Sequence, residues 1–194
     1  MVNYGMCALY NMMHLKLLPV PDGFRTSFGI LTNYLDAPLM MTALLFFCPS
    51  KQKQNKVYML GLVFIAYEVI ITIMFGFHPV STVYILAPGI VLILFYAGYL
   101  FVRQVKFTII HGKNSGRSIM LASILFVYAC YSFIYYFFYI QKTTFIADTY
   151  LLYFIASSIS GVLMSIGLML ANKRLKKLDD LKVTRRELQL FFNS

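Results

Sequence analysis

The hydrophobic residues of this chain are concentrated in long runs, and short polar segments separate one run from the next. A run of 21 to 23 residues, folded as a helix, is long enough to cross a hydrocarbon core of roughly 30 Å. None of the runs shows the short alternating segments typical of an outer-membrane barrel. The pattern predicts an all-α, polytopic integral membrane bundle with five clear transmembrane helices, over residues 28–48, 57–77, 81–102, 118–140 and 149–171.

The two ends of the chain depart from this pattern. Residues 1–20 are apolar but interrupted by polar side chains, and we expect a short sixth helix that either crosses the membrane or lies at its surface. We favour the crossing, although the abrupt start at Met1 leaves a truncated reading frame as an alternative. Residues 172–194 are strongly polar, with leucines near helical spacing. We therefore divide the chain into a transmembrane bundle over 1–171 and a basic amphipathic tail helix over 172–194.

Positive charge is unequally distributed between alternate connections. The net charge is +10, although only 12% of the residues are charged. Most Lys and Arg residues lie in 49–56, in 103–117 and in the tail, and the positive-inside rule assigns these segments to the cytoplasm. We therefore predict a protein of the cell or inner membrane with a cytoplasmic C-terminus. Its basic loops and tail should contact anionic lipid headgroups, and no nucleic acid is needed to explain the charge.

The first of the five runs contains a carboxylate, Asp36, with Pro38 two residues later and Asn33 three residues before. A charged side chain near the bilayer centre costs roughly 2.5–3.5 kcal/mol on insertion scales, so it usually faces protein or water and marks a functional site. Pro38 has no N–H to donate to the Tyr34 carbonyl four residues back. This stretch is a polar notch around which the other helices are expected to gather.

Other polar or helix-perturbing residues fall at a similar depth. By helical rise, Asp36 lies about 12 Å and Glu68 about 14 Å from the outer ends of their helices. Irregular backbone and ionisable groups at one depth are features of a buried binding site. We predict such a site in the outer half of the membrane, beside helix breaks at Pro38, Pro88 and Gly89. Its candidate ligand- or ion-binding residues are Asp36, Glu68, Asn33, Tyr131 and Ser158.

Asp36 and Glu68 lie on helices joined by a short connection, so these helices are expected to be antiparallel neighbours. Two carboxylates close together at low dielectric should share a proton or hold a cation. The alternative is that each carboxyl group is structural and bonds a neighbouring hydroxyl.

Two helix faces carry repeated residue types. Tyrosines recur every three or four residues at 128, 131, 135 and 139, and they either line a cavity or pack against other helices. For Tyr139 and its neighbour Tyr136 we favour packing, within the outer aromatic belt. A second face, formed by Ser157, Gly161 and Ser165, repeats small residues every four positions. Such a face lets another helix approach closely, and it offers a surface for a homo-oligomer or a membrane partner.

No histidine or cysteine spacing predicts a metal site, and no phosphate-binding loop is present, so no cofactor is expected. Three function classes fit the pattern. The favoured one is binding or translocation of a cation, a proton or a small polar substrate at the notch. The second is a ligand sensor or accessory subunit that signals through the C-terminal helix. The third is a lipid-active hydrolase that uses the paired carboxylates as acid and base.

Overall fold

The computed structural model describes residues 2–14, 16–111, 115–141 and 146–192, which form helices and no strand. Five of the helices in this part of the chain are long and apolar enough to cross a membrane. The predicted all-α bundle is confirmed. In chain order the helices are α1 (Val2–His14), α2 (Asp22–Leu45), α3 (Lys51–Phe75), α4 (Pro79–His111), α5 (Ser115–Tyr135) and α6 (Ile146–Phe192), and a π-helical turn (Tyr136–Ile140) extends α5.

The short N-terminal helix is present, but its length does not support the full crossing that we favoured. Its 13 residues rise about 20 Å, whereas the hydrocarbon core is roughly 30 Å thick. Helix α1 packs against α2, where Gly29 makes room for the ring of Tyr10. A Cβ atom at Gly29 would lie 2.7 Å from Tyr10 Cε2, so any larger residue would displace α1 or its tyrosine.

The helices do not begin and end where the hydrophobic runs that predicted them do. Helix α3 begins at Lys51 and α4 continues to His111, so most of the basic segments 49–56 and 103–117 is helical. Backbone hydrogen bonding does not end where hydrophobicity ends, and lysine, arginine and glutamine are good helix formers. Hydropathy therefore located the membrane-embedded portion of each helix rather than its ends.

The connection 76–78 joins α3 to α4, and we call the end of the bundle at which it lies the upper end. The Tyr34 ring of α2 packs on Phe77 of this connection, with ring centroids 5.4 Å apart. Tyr34 also donates a hydrogen bond to Ser81 Oγ on α4 and accepts one from Thr72 Oγ1 on α3. These bonds tie α2, α3 and α4 together, and the bundle continues through α5, which packs on α4 and α6.

The side chains of the bundle are apolar both inside and outside. Leu44, Ile93 and Leu121 are fully buried, while Ile73 and Ile109 are 79% and 77% exposed. Exposed apolar residues are numerous on α3, α4 and α6, whereas α5 has only Phe126 and Phe133 exposed among its large apolar residues. A surface of this kind is compatible with contact to a lipid bilayer, in which it needs no polar covering.

Helices α5 and α6 approach most closely at two glycines that the small-residue pattern did not identify. A Cβ atom at Gly116 would lie 2.6 Å from the Gly167 carbonyl oxygen. One side of this crossing continues through Ser123 and Ser160, whose hydroxyls are 2.8 Å apart and fully buried. By contrast, a Cβ atom at Gly161 would meet nothing within 4 Å. Gly161 is therefore not at the close helix crossing, and Ser165 of the same face is exposed.

Helix α6 runs for 47 residues, about 70 Å, without interruption. It includes residues 172–192, so the helix predicted for the tail is continuous with the last of the long apolar helices. Side chains after Lys176 lie outside the described residues. The amphipathic character of the tail stays a prediction.

Candidate binding cavity

A partly enclosed cavity of about 180 Å³ lies in the upper half of the bundle, between α1, α2, α4, α5 and α6. For comparison, a cavity of roughly 150 Å³ holds a benzene molecule. The site is therefore large enough for a small organic ligand. Its described lining consists of Tyr10, Asn11, Gly29, Thr32, Asn33, Asp36, Leu86, Ile90, Tyr131, Ile134, Tyr135, Tyr139 and Tyr153.

Asp36 lines this cavity from the middle part of α2 and is held by a residue of α5. Tyr128 Oη donates a hydrogen bond of 2.8 Å to Asp36 Oδ1. The Tyr128 side chain is fully buried, so its hydroxyl has little freedom to leave the carboxylate. A hydrogen bond between groups 92 residues apart fixes one carboxylate oxygen in position and joins α2 to α5. Asp36 is the single charged side chain in the described lining.

The tyrosine rings that line the cavity are also held in place. Tyr131 Oη lies 3.1 Å from Ser157 Oγ, and the Tyr131 ring stacks on Tyr153 with centroids 5.1 Å apart. Tyr135 Oη donates to the Val83 carbonyl at 3.0 Å, and the Tyr135 ring contacts Tyr139. Because both hydroxyls are bound to other parts of the protein, the contribution of Tyr131 and Tyr135 to the cavity wall is chiefly their rings.

Pro88 and Gly89 lie between Leu86 and Ile90, the two α4 residues that line the cavity. Pro88 cannot donate to the Tyr84 carbonyl, and Tyr67 Oη of α3 donates to that carbonyl instead, at 3.0 Å. A Cβ atom at Gly89 would lie 3.1 Å from the Ala37 Cβ of α2, so glycine permits this close approach. These residues shape the packing around the site.

The prolines do not interrupt their helices in the way that the term helix break implies. Helix α2 continues through Pro38 and α4 continues through Pro88. Each proline removes one backbone hydrogen bond and leaves the rest of its helix intact.

The structure brings three of the five predicted binding residues together. Asp36, Asn33 and Tyr131 line the cavity. Ser158 does not; its side chain is exposed on the outer surface of α6, whereas Ser157 turns inward to Tyr131. A rotation of one residue, which is about 100° in an α-helix, separates these two serines. The apolar sequence around them gave no indication of which one faces inward.

Glu68 lies apart from the described lining of the cavity. It belongs to the buried face of α3 with Phe64 and Ile71, and it is 7% exposed. Its Oε1 atom has no hydrogen-bond partner among the described residues. No α3 residue is part of the described lining, so the cavity is built around one carboxylate rather than two.

Several lining residues were not singled out from the sequence. Tyr10, Thr32 and Tyr153 are brought to the cavity by three different helices. Tyr139, which we had assigned to packing, lines the cavity as well. The chain contains 15 tyrosines and no tryptophan, and this imbalance is a signal that could have drawn attention to tyrosine.

Scans against protein-family models, curated proteins and solved structures found no significant match to this chain. Within the described part of the chain, no group of three or more His, Cys, Asp or Glu side chains could hold a metal ion. The chemistry of the cavity therefore has to be inferred from its lining. That lining combines one carboxylate with amide and hydroxyl groups, aromatic rings and a few aliphatic side chains.

Proposed function

We propose that this protein binds a small cation or polar solute in the cavity and carries it across the membrane. The observation that carries the proposal is the position of Asp36. It is a carboxylate inside a helix long enough to span a membrane, it lines a cavity, and no Lys, Arg or His occurs in the described lining. A carboxylate that is costly to place in a membrane and faces a cavity is expected to bind a ligand there.

The packing of the bundle supports translocation. Below the cavity, Leu44, Ile93 and Ala97 are fully buried and pack in the hydrophobic core. A partly enclosed site with packed side chains below it is compatible with one state of an alternating-access cycle. The missing backbone hydrogen bonds at Pro38 and Pro88, beside the cavity, are places where α2 and α4 can bend with little cost.

The orientation follows from charge, and it forms part of the proposal. Lys51, Arg103 and Arg117 belong to the lower part of the bundle, so we place this end and the C-terminus in the cytoplasm. The cavity then lies in the outer half of the membrane. We also propose that the basic segments contact anionic lipid headgroups. Of the predicted face formed by Ser157, Gly161 and Ser165, Ser157 packs inward against Tyr131, so the surface proposed for a second copy or a membrane partner is reduced to Gly161 and the exposed Ser165.

A sensor or accessory subunit is the second candidate, and one observation favours it. Tyr153 lines the cavity and belongs to the same uninterrupted helix that continues to Phe192. Ligand binding beside Tyr153 would then reach the tail through α6. Deleting residues 173–194 separates the two functions, since a transporter would keep its flux and a sensor would lose its output. A hydrolase with two catalytic carboxylates lacks this support, because Glu68 is not in the described lining.

The test is solute flux into proteoliposomes with a panel of inorganic cations, organic cations and neutral polar solutes. Asp36→Asn keeps the size of the side chain and removes its charge, and we expect it to abolish saturable uptake. Glu68→Gln is the matched control, since it changes a buried carboxylate outside the described cavity lining, and we expect it to retain uptake. Equal uptake by the wild type and the Asp36→Asn protein would refute a role for the cavity. Binding of a solute without its uptake would favour the sensor or accessory subunit over the transporter.

A further inference from the structure

The cavity is unusually rich in one aromatic residue. Five of its 13 described lining residues are tyrosines: Tyr10, Tyr131, Tyr135, Tyr139 and Tyr153. Four of them belong to one side of the cavity, where Tyr131 stacks on Tyr153 and Tyr135 contacts Tyr139, and Tyr10 of α1 supplies a fifth ring beside Gly29. The face of an aromatic ring carries negative electrostatic potential and attracts cations.

Asp36 adds the only charge of the described lining. The balance between one carboxylate and several rings suits a monovalent cation that is weakly hydrated. A bare metal ion prefers a shell of six or more oxygen ligands, whereas Leu86, Ile90 and Ile134 occupy part of this wall with alkyl groups. Alkyl groups on the ligand would pack against these side chains, and an alkylated cation gives up less bound water on entry than a bare metal ion does.

The absence of Lys, Arg and His from the described lining constrains the ligand further. A zwitterion would place its own carboxylate in the cavity without a basic partner, and a buried unpaired charge is costly.

The size of the cavity sets a second limit on the ligand. At about 180 Å³, it is slightly larger than the roughly 150 Å³ that holds benzene. A ligand of about six to eight non-hydrogen atoms fits this limit.

We propose that the cavity selects a small alkylated ammonium cation, with the tyrosine rings against its alkyl groups and Asp36 as its counter-charge. This inference rests on the proposed function and names the substrate class of the same site. The Tyr128 hydroxyl positions the carboxylate, and the bonds from Tyr131 to Ser157 and from Tyr135 to Val83 hold two of the rings.

The first experiment measures equilibrium binding of labelled choline to the full-length protein in nanodiscs. We expect unlabelled choline and tetramethylammonium to compete. The neutral isostere 3,3-dimethylbutan-1-ol has the shape of choline without its charge, and we expect it to compete roughly tenfold less well or worse. Glycine betaine carries an added carboxylate and should compete poorly, as should sodium and potassium. Equal competition by choline and its neutral isostere would overturn the proposal.

The second experiment tests the rings. We expect Tyr153→Leu and Tyr10→Leu to weaken choline binding by about five- to thirty-fold each, because each removes one cation–π contact. Tyr153→Phe and Tyr10→Phe keep the ring and should stay within about threefold of the wild type. Tyr58 is 57% exposed on α3, outside the described cavity lining, and Tyr58→Leu is the control for a general effect of losing a tyrosine. If the phenylalanine variants bind as poorly as the leucine variants, the rings are not the recognition element.

The failure of this inference can be told apart from failure of the proposed function. Asp36-dependent flux of an inorganic cation, without binding of any ammonium probe, would overturn the substrate class and leave the proposed function standing. If the panel shows no solute whose binding or flux depends on Asp36, both fail. Strong binding of glycine betaine would also overturn the inference, because it would require a basic partner that the described lining does not contain.

Discussion

The crossing of α5 and α6 permits a quantitative test, because two glycines on the same helix, Gly167 and Gly161, have opposite surroundings. Gly167 packs against Gly116 of α5, whereas Gly161 faces open space. The substitution Gly116→Ala would place a Cβ atom 2.6 Å from the Gly167 carbonyl oxygen and 2.8 Å from the Ala171 nitrogen. Both are backbone atoms, so no side-chain rotation can relieve the overlap.

The size of the effect follows from this geometry. Ordinary contact begins near 3.4 Å, so the two helices would have to separate locally by about 0.8 Å. Overpacking of this kind usually costs about 1–3 kcal/mol. The separation would also strain the buried hydrogen bonds between Ser123 and Ser160, which range from 2.7 to 3.3 Å. We therefore expect Gly116→Ala to lower the free energy of unfolding by about 2 kcal/mol.

Gly161→Ala is the matched control. Its Cβ atom would meet no neighbour within 4 Å, and alanine is favoured over glycine in a helix by about 1 kcal/mol. We expect this variant to be as stable as the wild type or slightly more stable. Equilibrium unfolding in mixed micelles, followed by tyrosine fluorescence and circular dichroism, gives both values. If Gly116→Ala proves as stable as Gly161→Ala, the close crossing at Gly116 and Gly167 is wrong.

The remaining predictions concern accessibility. In a cysteine-free background, a cysteine at Lys51 should be protected from a membrane-impermeant maleimide in intact cells and one at Gln141 should react; the reverse result would invert the orientation. Burial raises the pKa of the Cys48 thiol, an effect that the charges of Lys53 and Arg103 partly oppose. A raised pKa leaves less thiolate at a given pH, so Cys48 should alkylate more slowly than an exposed cysteine. As the pH rises, the alkylation rate of Cys48 should still increase at pH values where the rate of the exposed cysteine has become constant. Mass spectrometry between pH 7 and pH 10 measures both rates, and coincident profiles would contradict the expectation.

The number and approximate positions of the spanning helices could be predicted from the sequence because they depend on local hydrophobicity. Each run had to satisfy its own backbone hydrogen bonds in the membrane, and a helix is the local solution. The polar notch at Asp36 was visible for a similar reason, since a carboxylate within such a run is rare. These features do not require knowledge of which helices are neighbours.

The rotation of each helix about its own axis could not be predicted in the same way. In a soluble protein, a polar face and an apolar face indicate which side is buried. Here the surroundings are lipid, both faces are apolar, and small differences in packing decide the orientation. That is why the sequence pointed to Ser158 rather than to the inward-facing Ser157, and why the predicted small-residue face ran through Gly161 and did not include Gly167. The pairing of Tyr128 with Asp36, across 92 residues, likewise depends on packing.

The stretch of α4 around Pro88 packs against both α2 and α3. These helices carry Asp36 and Glu68, the two carboxylates that the sequence predicted to act as a pair. Leu86 and Ile90 line the cavity that holds Asp36. Between them, Pro88 frees the Tyr84 carbonyl, which is bound from α3 by Tyr67, the neighbour of Glu68 along that helix. A ligand that bends α4 at this proline would therefore shift the contacts of α3 as well as those of the cavity. This link between α3 and the cavity runs through the Tyr67 hydroxyl rather than through the Glu68 carboxyl, which is why Glu68→Gln is expected to retain uptake.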